Sequence, residues 1–301
     1  RGMHHDRNGA SGHPTGTQYA LSGELPGGPL EMPDIGSVAV HRIGSQCQYL
    51  PPYIMVPGNH EQNRASRVGF LPASAKVFKT AGKDLSDPKW KVNDLGLLGG
   101  IQPERFRDRN DLLSNLNVGF AASDARQVES YSALTDQAEN LLTNPLTQRA
   151  FKLDEEPDAV RDQFGRGHRG QCYMLGRRLI ERGVRFVTVD VREPMTKKTP
   201  GGFNMNWDHH DLMYNEGSCG TIRNKAGGEG RYGIAHWVMM GSTDQAFAAL
   251  ITDMDERGLL AETLVAFVTE FGRTPRLNKC QGRDHGTKAY SIALAGAGVP
   301  G

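Results

Sequence analysis

The sequence predicts an α/β protein built on a mostly parallel sheet with helices on both faces. Three observations carry this. Residues 171–182 have a helical pattern, end at Gly183 and lead into the strand VRFVTVDV. Phe247, Leu250, Ile251 and Met254 recur at i, i+3, i+4 and i+7 of a second helix, which ends at Gly258 and leads into the strand TLVAFVTE. Both units therefore read helix, Glu-Arg-Gly, apolar strand, and glycine suits the left-handed position that closes a helix. Residues 290–295 make a third apolar strand. Apolar, β-branched strands alternating with helices indicate a parallel sheet covered on both sides.

The remaining elements follow in chain order. Residues 1–50 are rich in Gly, Pro and His, with one short helix expected near 17–21. PPYIMV at 51–56 reads as a short buried strand. From 57 to about 110 the chain is loop-like, and a long irregular stretch of this kind is usually functional or a lid. Residues 111–151 are helical, with Ser123 or Asp124 as a cap and Asn144-Pro145 as punctuation. The chain opens RGMHHDRNGASGH, without an initiator Met, and closes YSIALAGAGVPG, a strand running into a glycine-rich turn. The expectation is one incomplete domain over 1–301, truncated at both ends, with a loop-rich insertion at about 57–110.

Composition narrows the function classes. The 301 residues are 38% hydrophobic and include 37 glycines, which suits a loop-rich globular protein with a real core. Lys and Arg number 35 against 34 Asp and Glu, so no single-sign field favours nucleic acid or an anionic membrane. No apolar run is long enough to span a bilayer. Cys47, Cys172, Cys219 and Cys280 are scattered without CxxC spacing. That argues against a zinc ribbon or redox motif and leaves disulfides open.

In open α/β sheets, ligands bind beyond the carboxyl ends of the strands. Three polar clusters adjoin the expected strands: Trp207-Asp208-His209-His210-Asp211, Glu270-Phe271-Gly272-Arg273-Thr274-Pro275, and Gly282-Arg283-Asp284-His285-Gly286. Each has a plain structural reading on its own. Adjacent loop histidines are often solvated, Glu270 could pair with Arg273 or Arg276, and His285 could be a hydrogen-bonded loop residue. Together they suggest a shared divalent-metal site, because mixed imidazole and carboxylate donors suit Zn²⁺, Mn²⁺ or Fe, with Ca²⁺ or Mg²⁺ left open. His4, His5, Asp6 and His13 could add ligands or bind an anion at the N-terminus of the first helix, with a frayed start as the alternative for His4 and His5. His60-Glu61 lacks the second histidine of a zincin, and neither a P-loop nor a GxSxG elbow occurs.

The strings TLVAFVTEFGRTPRLN and GRDHG, with AFKLDEEPDAVRDQFGRGHRGQCYMLGRRLIERGVRFVTV, WDHHD and TDQAFAALITDMDERGLLAETLV, resemble the exported bacterial family known as domain of unknown function 1501. That family is placed with sulfatase-like proteins of the alkaline phosphatase superfamily. The resemblance implies a metal held by Asp208, His210 and His285, with Glu270 as a further ligand. It implies His13 as a ligand or acid/base group at the position of the usual nucleophile, Arg273 as an anion clamp, and Asp244 as a structural helix residue. It also implies a phosphate or sulfate ester of a small molecule or glycan as substrate, and an exported or periplasmic location. Two departures stand out. His13 replaces the nucleophilic Cys or Ser, so formylglycine chemistry is not expected, and Glu270-Phe271 replaces an Asp-His or Asp-Asn pair. A non-catalytic metal-binding or scaffold protein on the same fold is the alternative. The oligomeric state is not readable.

Overall fold

The computed structural model describes residues 2–5, 8–58, 67–80, 84–92, 95, 102–120, 125–190, 241–279 and 282–299. In chain order the elements are β1 (Gly2–Met3), α1 (His13–Ser22), α2 (Ile35–Ile43), β2 (Tyr53–Val56), β3 (Phe78–Lys79), α3 (Pro103–Phe120), α4 (Ala125–Thr143), α5 (Pro145–Ala150) and α6 (Asp158–Phe164). There follow α7 (His168–Glu181), β4 (Phe186–Val189), α8 (Ser242–Glu256), β5 (Val265–Phe267), β6 (Gly272–Arg273), β7 (His285–Gly286), β8 (Tyr290–Ser291) and β9 (Ala293–Ala295).

The core is a three-stranded parallel sheet in the order β3-β2-β4. Every residue of β2 is buried, and its alternation assigns two faces. Tyr53 and Met55 pack with Val40 of α2 and with Phe186. Ile54 and Val56 join Val187 and Val189 in the cluster that holds Met174, Leu175 and Leu179 of α7. Helices thus cover both faces, α7 as expected and α2 in a stretch where none was expected. Glycines permit the close approach. A Cβ at Gly36 would lie 2.5 Å from the Tyr53 ring, and one at Gly176 would lie 2.9 Å from Val189 Cγ2. Asp34 caps α2, accepting from the Ser37 amide at 2.7 Å, and Tyr53 Oη donates to the same carboxylate at 3.1 Å. One side chain therefore ties the helix start to the central strand.

The repeated helix–glycine–strand pattern is present: Gly183 and Gly258 have φ of 87° and 71°, where only glycine is comfortable. The two Glu-Arg-Gly ends also touch, because Arg257 Nη1 bonds Glu181 at 2.9 Å. Behind them lies a buried ionic network. Arg177 contacts Glu156, Glu181 and Asp253 at 2.7, 2.9 and 2.7 Å, and Arg178 contacts Glu156 and Glu155 at 2.5 and 2.7 Å.

Three expectations need correction. VRFVTVDV supplies β4 of the parallel sheet, but TLVAFVTE and the 290–295 strand do not join it. They become β5 and β9, which pair antiparallel with each other in register Val265↔Ala295, Ala266↔Leu294 and Phe267↔Ala293. A parallel return needs a crossover, usually helical. The described link from β5 to β9 instead carries the β6–β7 hairpin, so the chain comes back reversed. The stretch from 57 to 110 is not all loop, since it supplies β3 to the sheet and the start of α3. The helix expected at 17–21 begins earlier, at His13. The proposed caps Ser123 and Asp124 lie outside the described residues, whereas Asn144 does cap α5 by accepting from the Leu146 amide at 2.9 Å. Cys47 and Cys172 are buried thiols, and Cys219 and Cys280 lie outside the described residues. Among the described residues, no helix is long and apolar enough to cross a membrane.

Candidate functional site

Chain ends far apart in sequence meet beside β5. β1 pairs antiparallel with β8, and β6 pairs with β7 in register Gly272↔Gly286 and Arg273↔His285. Both glycines of the hairpin are sterically required. A Cβ on Gly272 would lie 1.9 Å from the Ala289 carbonyl, and one on Gly286 would lie 2.9 Å from the Arg273 backbone. The GR of EFGRTP and the HG of GRDHG are thus the paired, close-packed rungs of one hairpin. The hairpin sets His285 opposite Arg273 and leaves Glu270 and Phe271 at its entrance. Phe271 is buried and packs under α1, where Gly16 gives it room.

His13 opens α1, followed by Pro14 in the first turn. Its Nδ1 donates to Glu270 Oε1 at 2.5 Å. Its ring meets His285 edge-on, with centroids 4.4 Å apart, and lies 5.3 Å from Phe271. His285 stacks on Phe271 at 4.2 Å, and its Nδ1 donates to the Ser11 carbonyl at 2.5 Å. Both acceptors are oxygens without a proton to give, so each ring carries its hydrogen on Nδ1. In the neutral imidazole the lone pair is then on Nε2. His13 Nε2 is a buried atom. His5 is oriented the opposite way: its Nε2 donates to the Glu270 carbonyl, and its ring sits 5.0 Å from both Tyr19 and Tyr290. His5 is therefore part of the assembly, while His4 is exposed.

Burial pushes the Glu270 carboxyl up. The hydrogen bond from His13, a backbone hydrogen bond and the charges of His13 and Arg273 outweigh burial and hold it below the usual carboxylate range. Glu270 is therefore ionised at neutral pH. Arg273 lies over Phe271, its guanidinium carbon 6.0 Å from the ring centroid, and its Nη1 donates to the Arg283 carbonyl at 3.2 Å. Asp244 is exposed in the first turn of α8, where a carboxylate complements the helix dipole.

Of the residues singled out from sequence, the structure brings together His5, His13, Glu270, Arg273 and His285. Asp208 and His210, with the rest of WDHHD, lie outside the described residues. Among the described residues, no group of three or more His, Cys, Asp or Glu side chains forms a cluster able to hold a metal. Two members of the site were not read from sequence. The Ser11 carbonyl leaves no signal, because any residue carries one. Phe271 registered only as the loss of a polar ligand, although a large aromatic between Glu and Gly is what the histidines stack on.

The profile of a family described as "Protein of unknown function (DUF1501)" matches residues 1–301. The chain belongs to this family. The match covers the DUF1501 chain from α1 through the β6–β7 hairpin, so His13, Glu270 and His285 all fall within it. No curated protein and no solved structure matches the chain.

Proposed function

We propose that this DUF1501 protein is a metal-dependent hydrolase of phosphate or sulfate esters on a sulfatase-like, alkaline phosphatase superfamily scaffold. The observation that carries the reading is that His13 and His285 each set Nδ1 against an oxygen acceptor, which assigns both the same tautomer. Metal-binding histidines almost always donate their second ring N–H to a carboxylate or carbonyl, which orients the ring and raises its basicity. Here Glu270 and the Ser11 carbonyl are those acceptors, and the two rings touch. This donor chemistry fits a divalent cation. The proposed set is His13 and His285, with Glu270 as the acceptor behind His13, and Asp208 and His210 from the 207–211 segment. A bound cation would supply Lewis acidity toward an ester's anionic oxygens.

The protein's own groups have separate tasks. The hairpin region 272–288 carries Arg273, Arg276, Lys279, Arg283 and Lys288 against Asp284 alone, an excess of positive charge that favours an anionic ester. Arg273 adds fixed positive charge beside Glu270, a smaller effect than the hydrogen bond from His13. Phe271, packed beneath both histidines, keeps water from one side of the rings.

The test is metal analysis and turnover of the full-length protein on aryl phosphate and aryl sulfate. The expected result is bound metal and hydrolysis, both abolished in His285→Ala. Metal-replete protein with no turnover across phosphate, phosphonate and sulfate esters would leave a binding or scaffold role instead.

A further inference from the structure

We propose that Glu270 is a positioning residue rather than a metal ligand: its carboxylate fixes the His13 tautomer so that Nε2 is the donor atom. The inference rests on the metal-site reading above and concerns how that site is held.

The geometry points to this assignment in four ways. Glu270 Oε1 lies 2.5 Å from His13 Nδ1, within hydrogen-bond reach. The carboxylate is partly buried, and the ring N–H of His13 is what its Oε1 accepts from. Its backbone is pinned by His5 through the Glu270 carbonyl, and its neighbour Phe271 is locked under α1 by the Gly16 contact. The adjacent His285 reaches the same Nδ1–H state with a backbone carbonyl as partner. Two contacting histidines with matching tautomers, one held by a side chain and one by the main chain, make Glu270 the counterpart of the Ser11 carbonyl. That places it behind the donor atoms. An imidazole in water favours the Nε2–H form, so the acceptor at Nδ1 is what turns the lone pair outward to Nε2.

The experiment uses the full chain labelled with ¹⁵N-histidine. Long-range ¹H–¹⁵N spectra identify each ring's tautomer without metal, and a Zn²⁺ titration against a chromophoric chelator measures affinity. In the wild type, His13 and His285 should both show Nδ1–H. Glu270→Ala should return His13 to a mixture rich in Nε2–H, leave His285 unchanged as an internal check on folding, and weaken Zn²⁺ roughly 10–100-fold. Glu270→Gln keeps an oxygen acceptor, so it should retain Nδ1–H and most of the affinity. Wild-type His13 in the Nε2–H form would overturn the proposal without recourse to any variant. So would equal loss of Zn²⁺ affinity in Glu270→Ala and Glu270→Gln with the His13 tautomer unchanged, because that is the behaviour of a direct ligand. Wild-type protein that takes up no Zn²⁺ but shows the expected tautomers would remove the metal reading and uphold the Glu270–His13 positioning.

Discussion

Glu156 is a carboxylate inside the core, facing two arginines that are themselves buried. Burial raises its pKa, but its bonds with Arg177 and Arg178 more than offset this and bring it down to about 2. Removing one partner of such a network leaves uncompensated buried charge. Glu156→Ala should cost about 3 kcal/mol, the lower end for a broken buried pair, because Arg177 keeps Glu181 and Asp253. Urea unfolding at neutral pH measures this, and a loss under about 1 kcal/mol would contradict it. The pH dependence has a definite sign. The folded pKa is below the unfolded value of about 4.5, so this stabilisation is present above pH 4.5 and is lost as pH falls toward 2. The wild type should therefore lose stability through that window, and Glu156→Gln should show a shallower slope there. Parallel slopes for the two proteins would show that Glu156 is not the group responsible.

At the scale of elements, helices α4, α7 and α8 and the strands β2 and β4 were legible because periodicity and helix-ending glycines are local signals, whereas α2, within a stretch rich in Gly and Pro, was not read as a helix. Strand partnering was not. VAF in β5 and FVTV in β4 carry the same apolar signature, and nothing in either string says which runs parallel. The site was legible as a set of residues, since His13, Glu270, Arg273 and His285 all stood out. Its wiring was not, because His13 and Glu270 are separated by 257 positions and Ser11 acts through its carbonyl. The element that joins fold to site is α1, seated on Phe271. A Cβ at Gly16 would lie 2.7 Å from the Ala10 carbonyl and 2.8 Å from Phe271 Cδ1. Gly16→Ala should force α1 off its seat, cost about 1–3 kcal/mol as overpacking, and displace His13 from Glu270. Gly28→Ala is the control: its Cβ would meet only the Leu30 carbonyl, at an ordinary 3.7 Å. Thermal unfolding of both variants, read with the His13 ring resonances, separates the outcomes. An unperturbed His13 environment in Gly16→Ala would show that α1 does not hold the site.

On the scale of the whole molecule, packing passes from the parallel sheet to α7, from α7 to α8, and from α8 to β5, where Phe247 meets Phe267 at 5.3 Å. The candidate site hangs on the far end of that series, made from β1, α1 and the elements from β5 to β9. Its ladders are short: β1–β8 and β6–β7 have two paired residues per strand, whereas β2 and β4 pair over four. Opening free energies follow buried contacts and ladder length, so the two regions should differ in hydrogen-exchange protection. The expectation is slow exchange in β2, β4 and α7, and faster exchange in α1 and the hairpin. A ligand that binds only the closed site stabilises it by mass action. Saturating Zn²⁺ should therefore slow exchange in α1 and in β6–β7 by at least about tenfold, or 1.4 kcal/mol, with β2 and β4 unchanged until global unfolding governs them. Protection confined to the β2–β4 ladder would place the cation at the sheet edge and away from His13 and His285. No change anywhere, with Zn²⁺ present in excess, would argue that the paired histidines serve only to fasten α1 to the β6–β7 hairpin.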